Sequence, residues 1–232
     1  MSTNRGKPLC LRKRDFWFTV IPLLAWLGAV HARPLWIHPH CATHPASCSP
    51  SSLWPIDRLN LKLESPDADG YSYFTQNFSG ALAVGGILAW DAISGAGLLS
   101  IGTDLVILIQ SAAWNGVVNE AMHAITQRPR PFVYSDPMRA KDPENYTSFY
   151  SGHTSFAAIA GVALLLILFL RGAPFLLLLG AGAGVEALVF STAYFRIMAG
   201  RHFLTDVLAG AIIGGWIAVA VVLGHRGTIK TS

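Results

Sequence analysis

Long, uninterrupted apolar runs constrain this chain more than any other feature. Each is close to the ~20 residues that an α-helix needs to cross a hydrocarbon core. Five strong runs cover residues 16–30, 101–125, 154–170, 174–195 and 203–223, and a weaker one at 79–99 is broken by Asp91 and several glycines. The runs are continuous rather than alternating, which reads as helix and argues against a transmembrane barrel. The first can stretch to Ile37 if Arg33 snorkels, with Trp17 and Trp36 as interfacial anchors. The expected fold is all-α, a polytopic membrane protein with six transmembrane helices. Hydrophobic residues make up 52% of the chain and charged ones 13%, which excludes a disordered chain and a small disulfide scaffold. The formal net charge of +4 does not point to nucleic acid, because the basic residues are scattered between apolar runs and form no stripe.

The flanks set an orientation. Arg5, Lys7, Arg12, Lys13 and Arg14 precede the first run and Arg33 alone follows it closely, so the amino terminus is expected in the cytoplasm. Six spans then put Arg171, Arg226 and Lys230 on the same side. The basic start, the short apolar core and Val30-His31-Ala32 also fit a cleavable signal peptide, whereas Pro22 and the flanking tryptophans fit a retained helix. The organisation read from this is a basic tail and first helix (1–37), an extracytoplasmic loop (38–78), a five-helix catalytic core (79–223) and a cytoplasmic tail (224–232). In the loop, Cys41 and Cys48 suit a disulfide in an oxidising compartment, with two free thiols as the alternative. His38, His40 and His44 are too irregularly spaced to read as a metal site. Leu53, Ile56, Leu59 and Leu63 fall at helical spacing beside Asp57, Arg58 and Lys62, which predicts an amphipathic surface helix over 51–65.

Three short polar clusters abut span ends, and six spans place all of them outside. HAITQRPRP (123–131) leaves the third span, YSGH (150–153) precedes the fourth, and RIMAGRHFLTD (196–206) enters the sixth. His202 and Asp206 are four apart at a helix start, so they share a face. That spacing lets the carboxylate accept the Nδ1–H of His202 and leaves Nε2 as a lone-pair nucleophile. Ser151 and Gly152 stand just before an apolar helix, where free N–H groups favour an anion and glycine permits close approach. His153 follows, placed to protonate a departing oxygen. Arg130 and Arg196 supply planar donors suited to phosphate, with His123 and Arg128 near. Taken singly, Ser151 is equally an ordinary helix cap and His202 a histidine with a polar neighbour. It is the convergence at one face that reads as a phosphoryl-transfer site. The sequence has no Walker loop and no acidic cluster to hold magnesium, so neither metal nor other cofactor is expected.

The clusters resemble the three motifs of the type 2 phosphatidic acid phosphatase superfamily, K-x6-RP, PSGH and SR-x5-H-x3-D. They read here as His123-x6-Arg130-Pro131, Tyr150-Ser151-Gly152-His153 and Phe195-Arg196-x5-His202-x3-Asp206. His123 stands in place of Lys, Tyr150 of Pro and Phe195 of Ser. The resemblance implies a metal-independent membrane lipid phosphatase with its active site at the outer face. His202 would form a phosphohistidine, Asp206 would orient it, and His153 would protonate the leaving group. His123, Arg130, Ser151, Gly152 and Arg196 would hold the phosphoryl oxygens.

Rival readings are weighed on the same residues. Vanadate-dependent haloperoxidases share the superfamily but resemble soluble proteins. A phosphotransferase that hands the phosphoryl or head group to a second lipid shares the first half-reaction. Glu120 and Glu186 within spans invite a transporter or channel, although the charged groups gather at one face rather than at mid-membrane. Glu186 itself reads as a neutral acid hydrogen-bonded between helices. A zinc site of His123, His153 and His202 is opposed by Arg130 and Arg196. The partners expected are the bilayer and a membrane lipid phosphate: phosphatidic acid, phosphatidylglycerol phosphate, a polyprenyl diphosphate or the lipid A 1-phosphate. The location expected is a bacterial inner (plasma) membrane, with the site facing the periplasm or exterior. At His123, Glu120 one turn earlier is expected to pair with the imidazolium. The plain alternative is that His123 merely ends the third helix and Arg128 takes over the lysine's work.

Overall fold

The computed structural model describes residues 9–136 and 138–227. Arg5, Lys7 and Lys230 of the topology argument, and most of the 224–232 tail, lie outside the described residues. Six long helices carry the fold: α1 (Lys13–Trp36), α2 (Pro66–Ser94), α3 (Leu98–Thr126), α4 (Gly152–Leu170), α5 (Phe175–Met198) and α6 (Leu204–Gly224). Five of them, all but α2, are long and apolar enough to cross a membrane. The chain is an integral membrane protein.

The weak run at 79–99 is where the sequence reading departs most from the structure. Helix α2 begins at Pro66, well before that run, and the loop expected over 38–78 ends at Ser65. The start is specified locally. Ser65 caps the helix by accepting from the N–H of Ala68 at 3.3 Å, Pro66 stands in the first turn, and Asp67 and Asp69 meet the positive end of the helix dipole. The first turns are polar, so a hydropathy pattern does not show them. At the other end Gly95 adopts the left-handed conformation (φ 68°) that closes the helix, and α3 starts at Leu98.

The amphipathic helix expected over 51–65 is also replaced. Only Pro55–Arg58 forms an α-helical turn there. Leu59 is 77% exposed while Asp57 is fully buried, the reverse of an apolar inner face. Asp57 wins burial because it is paired: its carboxylate takes Arg128 at 2.8 Å and caps α6 through the N–H and hydroxyl of Thr205.

Helix α4 sits at the centre, packed on α2, α3, α5 and α6. Small residues make that possible. A Cβ on Gly210 of α6 would meet the Ser151 carbonyl at 2.7 Å, and one on Gly214 would meet the Ser155 carbonyl at 2.5 Å. Ile87, Ile107, Ile159, Leu164, Ile167 and Val222 fill the space around the contact. Helix α1 packs along α3: Trp26 lies over Gly116, the Trp114 indole donates to the Phe18 carbonyl at 3.1 Å, and Gln110 donates to Thr19 at 2.8 Å. Glu186, expected between helices, instead lies exposed on α5 with Phe190 and Tyr194 in an apolar groove.

Above the bundle, Cys41 and Cys48 form a disulfide. It packs with Ile37, Phe132 and Tyr146, and the Tyr146 hydroxyl accepts from the N–H of Cys41 while donating to the Ala140 carbonyl at 2.7 Å. His40 stacks on Tyr146 rather than joining His38 and His44 in a cluster. Gly210→Ala is expected to lower stability by about 1–3 kcal/mol, since its methyl has no room against backbone. Gly85→Ala, whose Cβ meets nothing within 4 Å, is expected to leave stability unchanged or slightly raised. Thermal unfolding of both variants in detergent micelles checks the contrast.

Candidate active site

The three polar clusters meet at one end of the bundle, where α3 and α5 finish and α4 and α6 begin. They surround a cavity of about 260 Å³ lined by His123, Arg130, Gly152, His153, Arg196 and His202 of the expected set. Its wall also holds Arg33, Asp69, Tyr73, Asn119 and Arg201. Two expected residues do not line it, Ser151 and Asp206.

His202 lies in the turn between α5 and α6, 3% exposed. Its Nδ1 faces the Ser148 carbonyl at 2.7 Å, and its Nε2 stands 3.2 Å from Nη2 of Arg196. A carbonyl only accepts and a guanidinium only donates, so the proton is on Nδ1 and the lone pair on Nε2. Burial, then Arg196 and Arg130, hold the His202 pKa well below the usual histidine value, against the pull of the Ser148 carbonyl. The ring is a neutral base pointing its lone pair at the arginines.

The direct His202–Asp206 hydrogen bond expected from the spacing is not formed. The spacing works only if both residues are helical, and His202 precedes α6, with Phe203 extended (φ −79°, ψ 164°). Asp206 turns back as a cap instead. It accepts from the Phe203 N–H at 2.9 Å and the Ser148 hydroxyl at 2.6 Å, and pairs with Arg128. It therefore reaches His202 through Ser148, whose carbonyl holds the ring. Ser151 is fully buried and caps α4 by accepting from the N–H of Thr154 at 3.4 Å. The plain reading of its side chain is the one realised.

Gly152 opens α4 and brings its backbone to the cavity; a Cβ there would stand 3.1 Å from Oδ1 of Asn119. The His153 ring meets the Tyr73 ring edge-on, with centroids 4.4 Å apart. Arg196 gives Nη1 to Asp69 at 2.6 Å, and Arg201 gives Nη2 to the other oxygen of Asp69 at 2.8 Å. Among the described residues the Arg130 guanidinium hydrogen-bonds only to Thr147, at 2.9 Å. Five buried nitrogens around the cavity have no hydrogen-bond partner among the described residues: Nε of Arg130, Nε of Arg196, Nε2 of His153 and both ring nitrogens of His123. Buried polar atoms are nearly always satisfied, and the two arginine Nε–H groups can only donate, so the cluster calls for an acceptor.

Glu120 stands 3.6 Å from Nδ1 of His123, but its main partner is Arg33, which grips it at 2.8 and 2.5 Å and reaches Glu144 at 2.8 Å. Arg128 does not take the lysine's place; Asp57, Asp206 and Thr205 occupy it, and its guanidinium lies over the Phe203 ring. Sequence reasoning missed Arg33, read as the snorkelling end of a span, and Asp69, whose helix was not foreseen. Arg201, adjacent to His202 inside the third cluster, and Asn119, one turn before His123, were in reach of a helical-face argument.

Comparison with known proteins places the chain in a family. Residues 104–229, more than half of the chain, match the PAP2 superfamily. The chain belongs to that superfamily. PAP2 is the short name of the type 2 phosphatidic acid phosphatases, so the resemblance read from three motifs is shown. A relative from Sulfolobus acidocaldarius, named undecaprenyl-diphosphatase, is 32% identical over 133 residues, 56% of this chain and 58% of the relative. The chain thus spans little more than half the length of that relative. No solved structure matches.

Because the His202 pKa is depressed in the fold, the ring stays unprotonated as pH falls below the usual ~6.5. The acid limb of kcat/KM set by His202, if it acts as the attacking base proposed below, is expected well below that value. The linkage has the opposite cost. Between the two pKa values the unfolded chain binds the extra proton, so folding stability falls as pH drops through that window. A pH profile of kcat/KM with an acid limb at the ordinary histidine value would contradict the assignment.

Proposed function

We propose that the protein is a membrane lipid phosphatase that hydrolyses a phosphomonoester or diphosphate lipid through a phosphohistidine on His202, without a metal. The buried Nε–H groups of Arg130 and Arg196, without a hydrogen-bond partner among the described residues, carry this reading, because a phosphoryl group offers several acceptor oxygens to one cavity. Nε2 of His202 attacks phosphorus while the bond to the lipid oxygen breaks, and His153 gives its proton to that oxygen. Arg130, Arg196, His123 and the Gly152 amide hold the charge that builds on the phosphoryl oxygens. Water, deprotonated by His153, then cleaves the N–P bond and frees phosphate. Asp206 acts as a positioning residue through Ser148. Four arginines around the cavity oppose a cation there. Among candidate substrates the undecaprenyl-diphosphatase relative favours a polyprenyl diphosphate.

His202→Ala is expected to abolish turnover and any acid-labile phosphoenzyme, whereas His153→Ala slows leaving-group departure and retains binding. EDTA is expected to leave the parent's activity intact. Phosphate release from polyprenyl diphosphate and phosphatidic acid in detergent, with acid-quench labelling, measures all three. Substantial turnover by His202→Ala would sink the mechanism.

Sidedness belongs to the same proposal. Helix α2, 29 residues or ~43 Å long, serves as the sixth span, and the cavity opens to the exterior. Arg12, Lys13, Arg14, Arg171 and Arg226 stand at helix ends remote from the cavity, as the positive-inside rule requires. A membrane-impermeant thiol reagent is expected to label Ser135→Cys from outside and Ser94→Cys only from inside. Both positions are exposed and neither has a positive φ, unlike Gly172. Labelling of Ser135→Cys from the cytoplasm would reverse the topology.

A further inference from the structure

At the end of the bundle opposite the histidines lies a second cavity, of about 410 Å³, between α1, α3 and α6. Helices α1 and α6 both pack on α3 and leave this slot between them. Its deep wall is apolar: Phe18 from α1, Trp114 and Val118 from α3, Ile217 and Ala220 from α6. The indole N–H of Trp114 is already given to the Phe18 carbonyl, so the ring presents only apolar surface.

The rim is charged. Arg14, Asp15 and His225 border it. His225 is 4% exposed; its Nδ1 is bonded to the Val221 carbonyl at 2.8 Å. Among the described residues its Nε2 has no hydrogen-bond partner, and it stands 3.6 Å from Asp15. The two chain ends add further cations. Leu9 pairs with Arg226 in an antiparallel bridge, and the Cys10 N–H donates to the His225 carbonyl at 3.0 Å. Arg14 lines the cavity with its Nε 4.0 Å from Asp15, and the bridge holds Arg226 beside the segment that carries Arg12 and Lys13; all four basic residues are exposed. The carboxylate among them, Asp15, is buried and already accepts the Arg12 N–H at 2.5 Å. Phe16 and Trp17, 62% and 60% exposed, flank the mouth as interfacial aromatics do.

We propose that this cavity binds an anionic phospholipid of the leaflet opposite the active site. One acyl chain lies in the slot along Phe18, Trp114 and Ile217, and the phosphate meets Arg14 and Arg226. An apolar slot that ends in a surplus of cations fits an amphiphile with a negative head in both shape and charge. A zwitterionic lipid satisfies the slot but not the rim. Bound there, the lipid ties α1 to α6 and so fastens the helix that carries Arg33 to the helix that follows His202.

The test uses the full chain, delipidated in detergent, and reads melting temperature with phosphatidylglycerol or phosphatidylcholine of matched chains. Phosphatidylglycerol is expected to raise it by about 3 °C or more beyond phosphatidylcholine. Ala220→Phe, which fills the slot, and the double variant Arg14→Gln with Arg226→Gln are each expected to abolish that difference. Melting without added lipid shows whether each variant folds, and if the filled variant does not, the charge variant decides alone. Equal stabilisation of the parent by both lipids, or an unchanged difference in the folded variants, overturns the proposal. Neither outcome bears on phosphatase activity, which is assayed separately.

Discussion

The cavity end of this bundle depends on one buried carboxylate. Asp206 is fully buried, and a charge in that position is tolerated only because it is satisfied on every side. It takes the Phe203 amide, the Ser148 hydroxyl and the Arg128 guanidinium at once. Through these it joins the start of α6, the segment before α4 and the exit from α3. Arg128 passes the link on to Asp57, which caps α6 a second time. The His202 tautomer, set by the Ser148 carbonyl, is thus a product of how this carboxylate is shared.

The electrostatics of the cavity follow from which arginines are neutralised. Among the described residues Arg33 and Arg128 are each held by two carboxylates, whereas Arg196 and Arg201 divide one, Asp69, and the Arg130 guanidinium has only a threonine hydroxyl. Positive charge is therefore concentrated beside His202 and His153 rather than spread over the cavity wall. The same concentration keeps His202 neutral and favours an anion in the cavity.

Much of this was legible in the sequence because membrane helices and short motifs are local signals. Apolar length located five helices, and the spacing within three clusters brought His123, Arg130, Gly152, His153, Arg196 and His202 to one cavity. What escaped has a common physical cause. Helix α2 is polar over its first turns, so its capping residues, Ser65 to Asp69, were the signal and hydropathy was not. Asp57 looked like the solvent side of an amphipathic helix because its partner, Arg128, is remote in sequence. The His202–Asp206 spacing implied a contact that requires helix at both residues, and the extended Phe203 removes it. In each case a long-range pairing or a single backbone dihedral outweighed the local pattern.

The residues that line the cavity come from two differently constrained parts of the chain. His123, Arg130, His153, Arg196 and His202 fall inside the stretch that matches the superfamily, 104–229. Arg33, Asp69 and Tyr73 reach the same cavity from α1 and α2, which lie outside it. The two stretches are nonetheless tied together through the cavity, because Asp69 holds Arg196 and Tyr73 meets the His153 ring. A change in either leading helix is therefore felt by the arginine and the histidine that the superfamily stretch supplies.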